Sequence, residues 1–401
     1  CFCKASHYTP QWGILTGVRP AKLFSRLCRE NGETAAESWF ENALFVNKEK
    51  ISLCRETVEG ENRITALSRP DSFSLYISVP FCPTRCAYCS FVSHSVENAG
   101  RLIPDYISLL KTEIAKTGDI ARAIGLRLET VYIGGGTPTA VSAEQLGEIM
   151  TSVRDSFDLS ALREFTVEAG RPDTVAKEKL DTIKRLGCTR ISINPQTMND
   201  AVLKNIGRRH TAEDTVRAFL LARECGFDNI NTDLIAGLPG DTAESFENTV
   251  NSVLRLDPES ITVHSLSMKR SSALTVSGSF PEALMGEEAA KMVSYARNTL
   301  KTHGLAPYYM YRQSKTVGNL ENVGYAKKGA ECLYNVYTMD ETHTILACGA
   351  SAVSKLREPN GSYIERIFNF KYPYEYISRF NELLERKKGV LAFYEKYPYR
   401  N

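Results

Sequence analysis

Three cysteines, Cys82, Cys86 and Cys89, stand within the eight residues CPTRCAYC, straight after the run Leu75-Tyr76-Ile77-Ser78-Val79-Pro80-Phe81. Their spacing would line one face of a helix, but Pro80 and Pro83 break or restrict a helix here. A structural zinc site needs four ligands in a closed tetrahedron. His94 could supply the fourth, although the paired C-x2-C knuckles that mark most such sites are absent. Three thiolates on an iron–sulfur cluster would instead leave one iron open, and an open position marks a metal that does chemistry. The triplet by itself leaves the zinc and cluster readings standing.

The elements around the triplet have a regular order. Short β-rich runs recur at 75–79, 130–136, 164–170, 190–196, 229–240 and 261–268, and helix-periodic stretches lie between them at 104–117, 142–156, 174–186, 211–224 and 242–256. Strand–helix alternation calls for a parallel sheet with helical crossovers. Several runs end in polar residues, Glu168, Gln196, Asp233 and Ser267. One such residue would be a helix cap; several in consecutive units favour the shared mouth of a βα barrel. Six units predict a partial (β/α)6 barrel over residues 71–270. Residues 1–70 form a mostly helical N-terminal extension containing QWGILTGVRPAKLF (11–24). Residues 271–401 form an α+β C-terminal domain with helix candidates at 284–303 and 373–388. That domain also holds the aromatic run PYYMYRQ (307–313), the loop-like GNLENVGYAKKGAE (318–331) and the small-residue stretch ACGASAVSKL (347–356).

Bulk properties narrow the function classes. In 401 residues, 49 basic and 47 acidic side chains leave a net charge of +2, which gives no electrostatic case for a nucleic-acid or membrane-surface protein. No apolar run is long enough to span a bilayer. Eleven cysteines, three clustered and the rest scattered, do not form a disulfide framework. A reducing cytoplasm is the expected location. The chain opens on Cys1 rather than Met, so residues before it are expected.

With Tyr88 just before the last cysteine and GGGTP (134–138) at the end of the next strand, the triplet resembles the C-x3-C-x-aromatic-C loop of radical S-adenosylmethionine (SAM) enzymes. That resemblance implies a [4Fe–4S] cluster on Cys82, Cys86 and Cys89, with SAM as the missing ligand. LYISVPFCPTRCAYCSF, YIGGGTPT, TVEAGRPDT, NTDLIAGLPGDT and YYMYRQ…GNLENVGYAKKG resemble the oxygen-independent coproporphyrinogen III oxidase family. WGILTGVRPAKL, GNLENVGYA and ACGASAVSKL resemble its coproporphyrinogen dehydrogenase HemZ branch.

The family reaction converts two propionates of coproporphyrinogen III to vinyls in haem biosynthesis. It implies a porphyrinogen substrate, one SAM or two, a low-potential electron donor and an electron acceptor. By resemblance, SAM is contacted by Tyr76, the backbone of Tyr88, Gly135, Gly136, Thr137, Glu168, Gln196, Arg208 and Asp233, with Ser267 and Val353 at weaker positions. Tyr76 also belongs to the catalytic centre. Arg312, in the aromatic run, is expected either to anchor a propionate or to sit in a surface ion pair. Phe91 replaces a further family cysteine, Ser78 lies where a histidine is common, and Pro195-Gln196 replaces a VQ pair. These departures bear on a second SAM site and a proton path. The alternatives are a haem-carrying chaperone of the same fold and a radical SAM enzyme that modifies haem. The chaperone branch's C-terminal His-Asn…Tyr-Trp signature is missing, since Trp12 and Trp39 both precede the barrel.

Overall fold

The computed structural model describes residues 10–89, 93–268 and 282–399, with side chains omitted at 282–285. Cys1, Cys3 and Phe91 lie outside the described residues. Six strands follow the expected order: β1 (Ser72–Val79), β2 (Arg127–Gly135), β3 (Glu164–Glu168), β4 (Arg190–Ser192), β5 (Ile230–Ala236) and β6 (Ser260–Ser265). Each pairs in parallel with the next. Helices α4 (Ile103–Ile124), α5 (Ala143–Ser156), α6 (Lys177–Arg185), α7 (Ala212–Glu224) and α8 (Ala243–Leu254) make the crossovers. Local signals set their ends. Ser142 and Gln145 form a capping box at the start of α5, and Thr211 and Asp214 do so for α7. Gly125, in the left-handed region, closes α4.

The C-terminal residues do not build a separate sheet. The hairpin β7 (Ala306–Arg312) and β8 (Glu321–Ala326) adds to β6, antiparallel, while β9 (Thr344–Cys348) adds in parallel to β1. Beyond β9 lie β10 (Val353–Arg357) and β11 (Ile364–Phe368), both antiparallel. The eleven-stranded order is therefore β11-β10-β9-β1-β2-β3-β4-β5-β6-β8-β7. Residues on either side of position 271 share one sheet.

The loop-like reading of 318–331 is corrected, because residues 321–326 are a fully buried strand. Gly324 misleads in the sequence but is required here. A Cβ at this position would lie 2.0 Å from Cε1 of Tyr309, whose ring covers the strand.

The N-terminal extension is helical, with α1 (Pro20–Asn31), α2 (Glu33–Asn42) and α3 (Lys48–Thr65). It packs against the β7–β8 hairpin through one apolar core that includes Trp12, Phe24, Phe40, Met310 and Val323. A second core holds α4, α5 and the C-terminal α11 (Phe380–Lys396) against the first strands. No helix among the described residues is long and apolar enough to cross a membrane.

Candidate active site

A cavity of about 530 Å³ opens at the C-terminal ends of the barrel strands. Cys82, Cys86 and Cys89 line one end of it, on the loop that leaves β1. That loop is pinned on several sides. Arg171 donates from Nη1 to the carbonyl (3.1 Å) and hydroxyl (2.7 Å) of Thr84, and Asp173 holds the other edge of its guanidinium at 2.7–2.9 Å. Ala87 N–H donates to Ile206 O at 3.0 Å, and Thr137 Oγ1 reaches Cys82 Sγ at 3.5 Å. The glycine strip lies against the same loop. Gly136 N–H donates to Val79 O at 2.9 Å, and a Cβ on Gly136 would fall 2.7 Å from Phe81 O and 3.0 Å from Cys82 Sγ. Gly135 has φ +114, so two neighbouring positions exclude side chains for different reasons.

A cluster takes three thiolates and leaves one iron open, which this loop can supply, whereas a closed zinc site needs a fourth ligand. His94 does not line the cavity. Its ring packs edge-on against Tyr372 at 6.1 Å, and burial together with the charge of Arg85 pushes its pKa down.

The remaining walls come from the strands β2, β3 and β5 and from the segment that follows β4. Glu168, at the end of β3, accepts from Tyr132 Oη at 2.5 Å. Burial, reinforced by the nearby Asp233 charge and opposed by the Tyr132 phenol, raises its pKa to about 7. Asp233, on β5, is also desolvated, yet the neighbouring His264 and a bond from Asn231 hold it below the usual carboxylate range. Asn231 Nδ2 donates to Asp233 Oδ1 at 2.7 Å, and His264 Nε2 lies 3.8 Å from Oδ2. Two carboxylates in one cavity thus carry opposite shifts. Such a pair is a mark of functional sites.

Gln196 has φ +72 and is fixed there by β5, its N–H donating to Asp233 O (3.0 Å) and its carbonyl accepting from Ile235 N–H (2.9 Å). A non-glycine residue in this region stores strain that the surrounding structure must hold. Arg208 is buried, donating to Tyr88 Oη (2.8 Å) and Asn194 O (3.2 Å). Its guanidinium is therefore not a solvated surface group.

The cavity brings together Tyr76, the three cysteines, Tyr88, Gly135, Gly136, Thr137, Glu168, Gln196, Arg208, Asp233 and Ser267. Two expected residues are absent from its lining. Val353 starts β10, two strands from β1. Arg312 faces the N-terminal extension. Its guanidinium donates to Leu15 O (2.6 Å), Gly17 O (3.5 Å) and Asn319 O (3.2 Å), and stacks 5.2 Å over Trp12. These carbonyls hold Nη1 and Nη2 of Arg312 away from this cavity, so its placement lends the propionate-anchor expectation no support. The surface ion-pair reading fails, since Arg312 is buried without a carboxylate partner among the described residues.

Other functional residues had only faint signals in the sequence. Tyr132, Tyr76 and Tyr334 form an aromatic wall, with Tyr132 and Tyr334 stacked at 4.6 Å. Tyr132 stands two residues before Gly134, on the same face of β2, so strand periodicity could have found it. Tyr334 comes from α10 (Leu333–Asp340), whose first N–H groups at Leu333 and Tyr334 donate to Glu164 at 2.8 and 3.2 Å. No local pattern announces that contact. His264, Tyr309, Tyr311 and Gln313 complete the mouth, whereas Trp12 and Trp39 do not line it.

Residues 76–253 match the radical SAM superfamily. Over 393 residues, 97% of this chain and 78% of the relative, the sequence is 39% identical to the oxygen-independent coproporphyrinogen-III oxidase-like protein HemZ of Bacillus subtilis. It is 34% identical over 317 residues to the heme chaperone HemW of the same organism, covering 75% of this chain and 77% of that one. Coproporphyrinogen III oxidase HemN from Escherichia coli, a radical SAM enzyme, superposes with a TM-score of 0.62 at 23% identity, over 80% of this chain and 72% of that one. That last likeness is one of fold.

Proposed function

Because this chain belongs to the radical SAM superfamily and, within it, to the oxygen-independent coproporphyrinogen III oxidase-like family on the HemZ branch, we propose that it decarboxylates coproporphyrinogen III propionates oxidatively to vinyls. The observation that carries the reading is one cavity in which the cysteine loop, two oppositely shifted carboxylates and a tyrosine-rich mouth face the same space. When bound, a [4Fe–4S] cluster and SAM supply one-electron cleavage of the sulfonium to a 5′-deoxyadenosyl radical.

The chain's own residues have definite work. Cys82, Cys86 and Cys89 would hold the cluster on a loop fixed by Arg171 and Ile206. Gly135 and Gly136 let the end of β2 close onto the cysteine loop, and Glu168, Asp233, Gln196 and Arg208 would present polar groups to SAM. Tyr309, Tyr311 and Tyr334 offer flat apolar faces to a macrocycle. In the overall change each propionate loses a hydrogen atom from its β-carbon, then carbon dioxide, and passes one electron to an acceptor. The donor that reduces the cluster and this acceptor are separate partners.

Haem carriage is the second reading, favoured by the 34% identity to HemW. One anaerobic experiment separates the two. Reconstituted protein given coproporphyrinogen III, SAM and a reductant should yield protoporphyrinogen with two carboxyl groups lost, identified by mass spectrometry. A Cys82, Cys86 and Cys89→Ala variant should yield none. Stoichiometric haem binding without any decarboxylated product would replace the enzyme by the chaperone.

A further inference from the structure

Deep in the barrel, Arg190 opens β4 beside Thr166 of β3, and only 2% of its surface is exposed. It lines the cavity. Its Nη2 donates to Ser260 Oγ at 2.7 Å, while its Nε is buried with no acceptor. The neighbouring Thr166 hydroxyl is likewise buried and unpartnered. Carboxylates lie close but are committed elsewhere. Glu164 accepts from the N–H groups of Leu333 and Tyr334 and from the Cys332 thiol. Glu168 accepts from Tyr132, and Asp233 from Asn231.

A buried guanidinium with part of its fork unused costs free energy unless something completes it. The fork is planar and suits a carboxylate that takes two parallel bonds. A dianion is disfavoured, because Glu168 and Asp233 already place negative charge in the same space. The depth asks for a single negative charge on a slim arm.

We propose that Arg190 forms a carboxylate subsite at the cavity floor that receives one propionate of the substrate. This rests on the porphyrinogen reading, and it gives the role expected of Arg312 to a residue that lines the cavity. Glu168, Tyr132 and the three cysteines line the same cavity as Arg190.

The test compares coproporphyrin III, a stable tetra-acid, with its tetramethyl ester, by fluorescence titration of the reconstituted protein. The parent should prefer the acid. In Arg190→Met and Arg190→Lys that preference should fall roughly tenfold, because Lys keeps the charge but loses the fork. In Arg190→Lys, which keeps the positive charge near Glu168, SAM affinity should stay within about twofold of the parent. An undiminished acid preference in both variants overturns the subsite while leaving the porphyrin reading intact. A parallel loss of SAM affinity in Arg190→Lys would assign Arg190 to the methionine carboxylate and also overturn it. Should Arg190→Met fail to fold, Arg190→Lys carries the comparison alone. Sodium propionate is the second probe, read by thermal shift. If it stabilises the parent but not Arg190→Lys while neither porphyrin binds, the subsite stands and the porphyrin reading falls. If it stabilises neither and no porphyrin binds, both fall.

Discussion

Glu321 and Glu168 are the same residue type on strands of the same sheet, and their surroundings drive them in opposite directions. Glu321, on β8, faces the N-terminal extension, where Lys50 Nζ reaches it at 2.6 Å and Trp12 Nε1 at 2.7 Å. All three residues are buried. Burial alone would raise the pKa of Glu321, but the Lys50 charge and both hydrogen bonds hold it below the usual range. Glu168 faces the cavity with one phenol as its side-chain partner and is raised to about 7. The first cluster is saturated and acts as a fastener between the extension and the hairpin. The second keeps unspent capacity, which is what a ligand requires. One step along β8 the roles meet: Asn322 lines the cavity while Glu321 is clamped behind it.

The largest effect should come from breaking the fastener. Lys50→Met leaves a buried, unpaired carboxylate and should cost about 3–5 kcal/mol in urea unfolding. Adding Glu321→Gln should restore much of that loss, because the charge then disappears while Trp12 keeps an acceptor. If the double variant is as unstable as the single one, Lys50 contributes packing rather than pairing.

Charge removal in the cavity should do the reverse. Glu168→Gln and Asp233→Asn should each weaken SAM binding roughly tenfold or more while leaving the cluster spectrum unchanged. The pH signature distinguishes Glu168 from the fastener. Between about 4.5 and about 7 the folded chain keeps a proton on Glu168 that the unfolded chain has released, so rising pH costs stability across that window. Glu168→Gln should remove this contribution and leave that of Glu61, which burial raises to about 8. Glu321, shifted downward, contributes stability above its unfolded pKa and loses it as pH falls. Unfolding midpoints of parent and variant across pH 4–8 would show it, and identical profiles would mean that Glu168 titrates normally.

Arg312 belongs to the fastener by geometry, although its sequence setting suggested the site. On β7 the side chains alternate: Tyr309, Tyr311 and Gln313 line the cavity, and Met310 packs into the core shared with the extension. Arg312 shares the parity of Met310. Sequence pattern shows that alternation exists but not which face is the cavity, because aromatic and charged residues occur on both. The six parallel strands were legible because each is a short apolar run bounded by helix caps. The cysteine loop was legible from spacing and Glu168 from its place at a strand end, whereas Asp233 lies in the middle of β5 and Gln196 four residues beyond β4. The pairing of β9 with β1 was not legible, since it joins residues more than 260 positions apart with no turn to set the register. Arg312→Lys should therefore lower stability by about 1–2 kcal/mol through lost bonds to Leu15 O, Gly17 O and Asn319 O. SAM and porphyrin affinities should hold; a selective loss of porphyrin affinity would return Arg312 to the site.

The smallest effect concerns the phenol that partly quiets Glu168. Tyr132 donates to the carboxylate at 2.5 Å and stacks on Tyr334. Tyr132→Phe keeps the ring, and with it the stack, and removes only the donor. A hydrogen bond to the charged form favours that form, so its loss should push the Glu168 pKa above about 7. The cavity would then hold a larger fraction of neutral Glu168 at neutral pH. SAM affinity should drop about two- to fivefold near pH 7, within the range of a single modest hydrogen bond. Raising the pH to 8.5 should recover most of that loss, because the carboxylate ionises again. In Glu168→Gln the same pH change should recover nothing, which assigns the effect to ionisation of this carboxylate. A deficit in Tyr132→Phe that does not vary with pH would mean that the phenol touches the ligand directly, and Glu168 would then be no more than its neighbour.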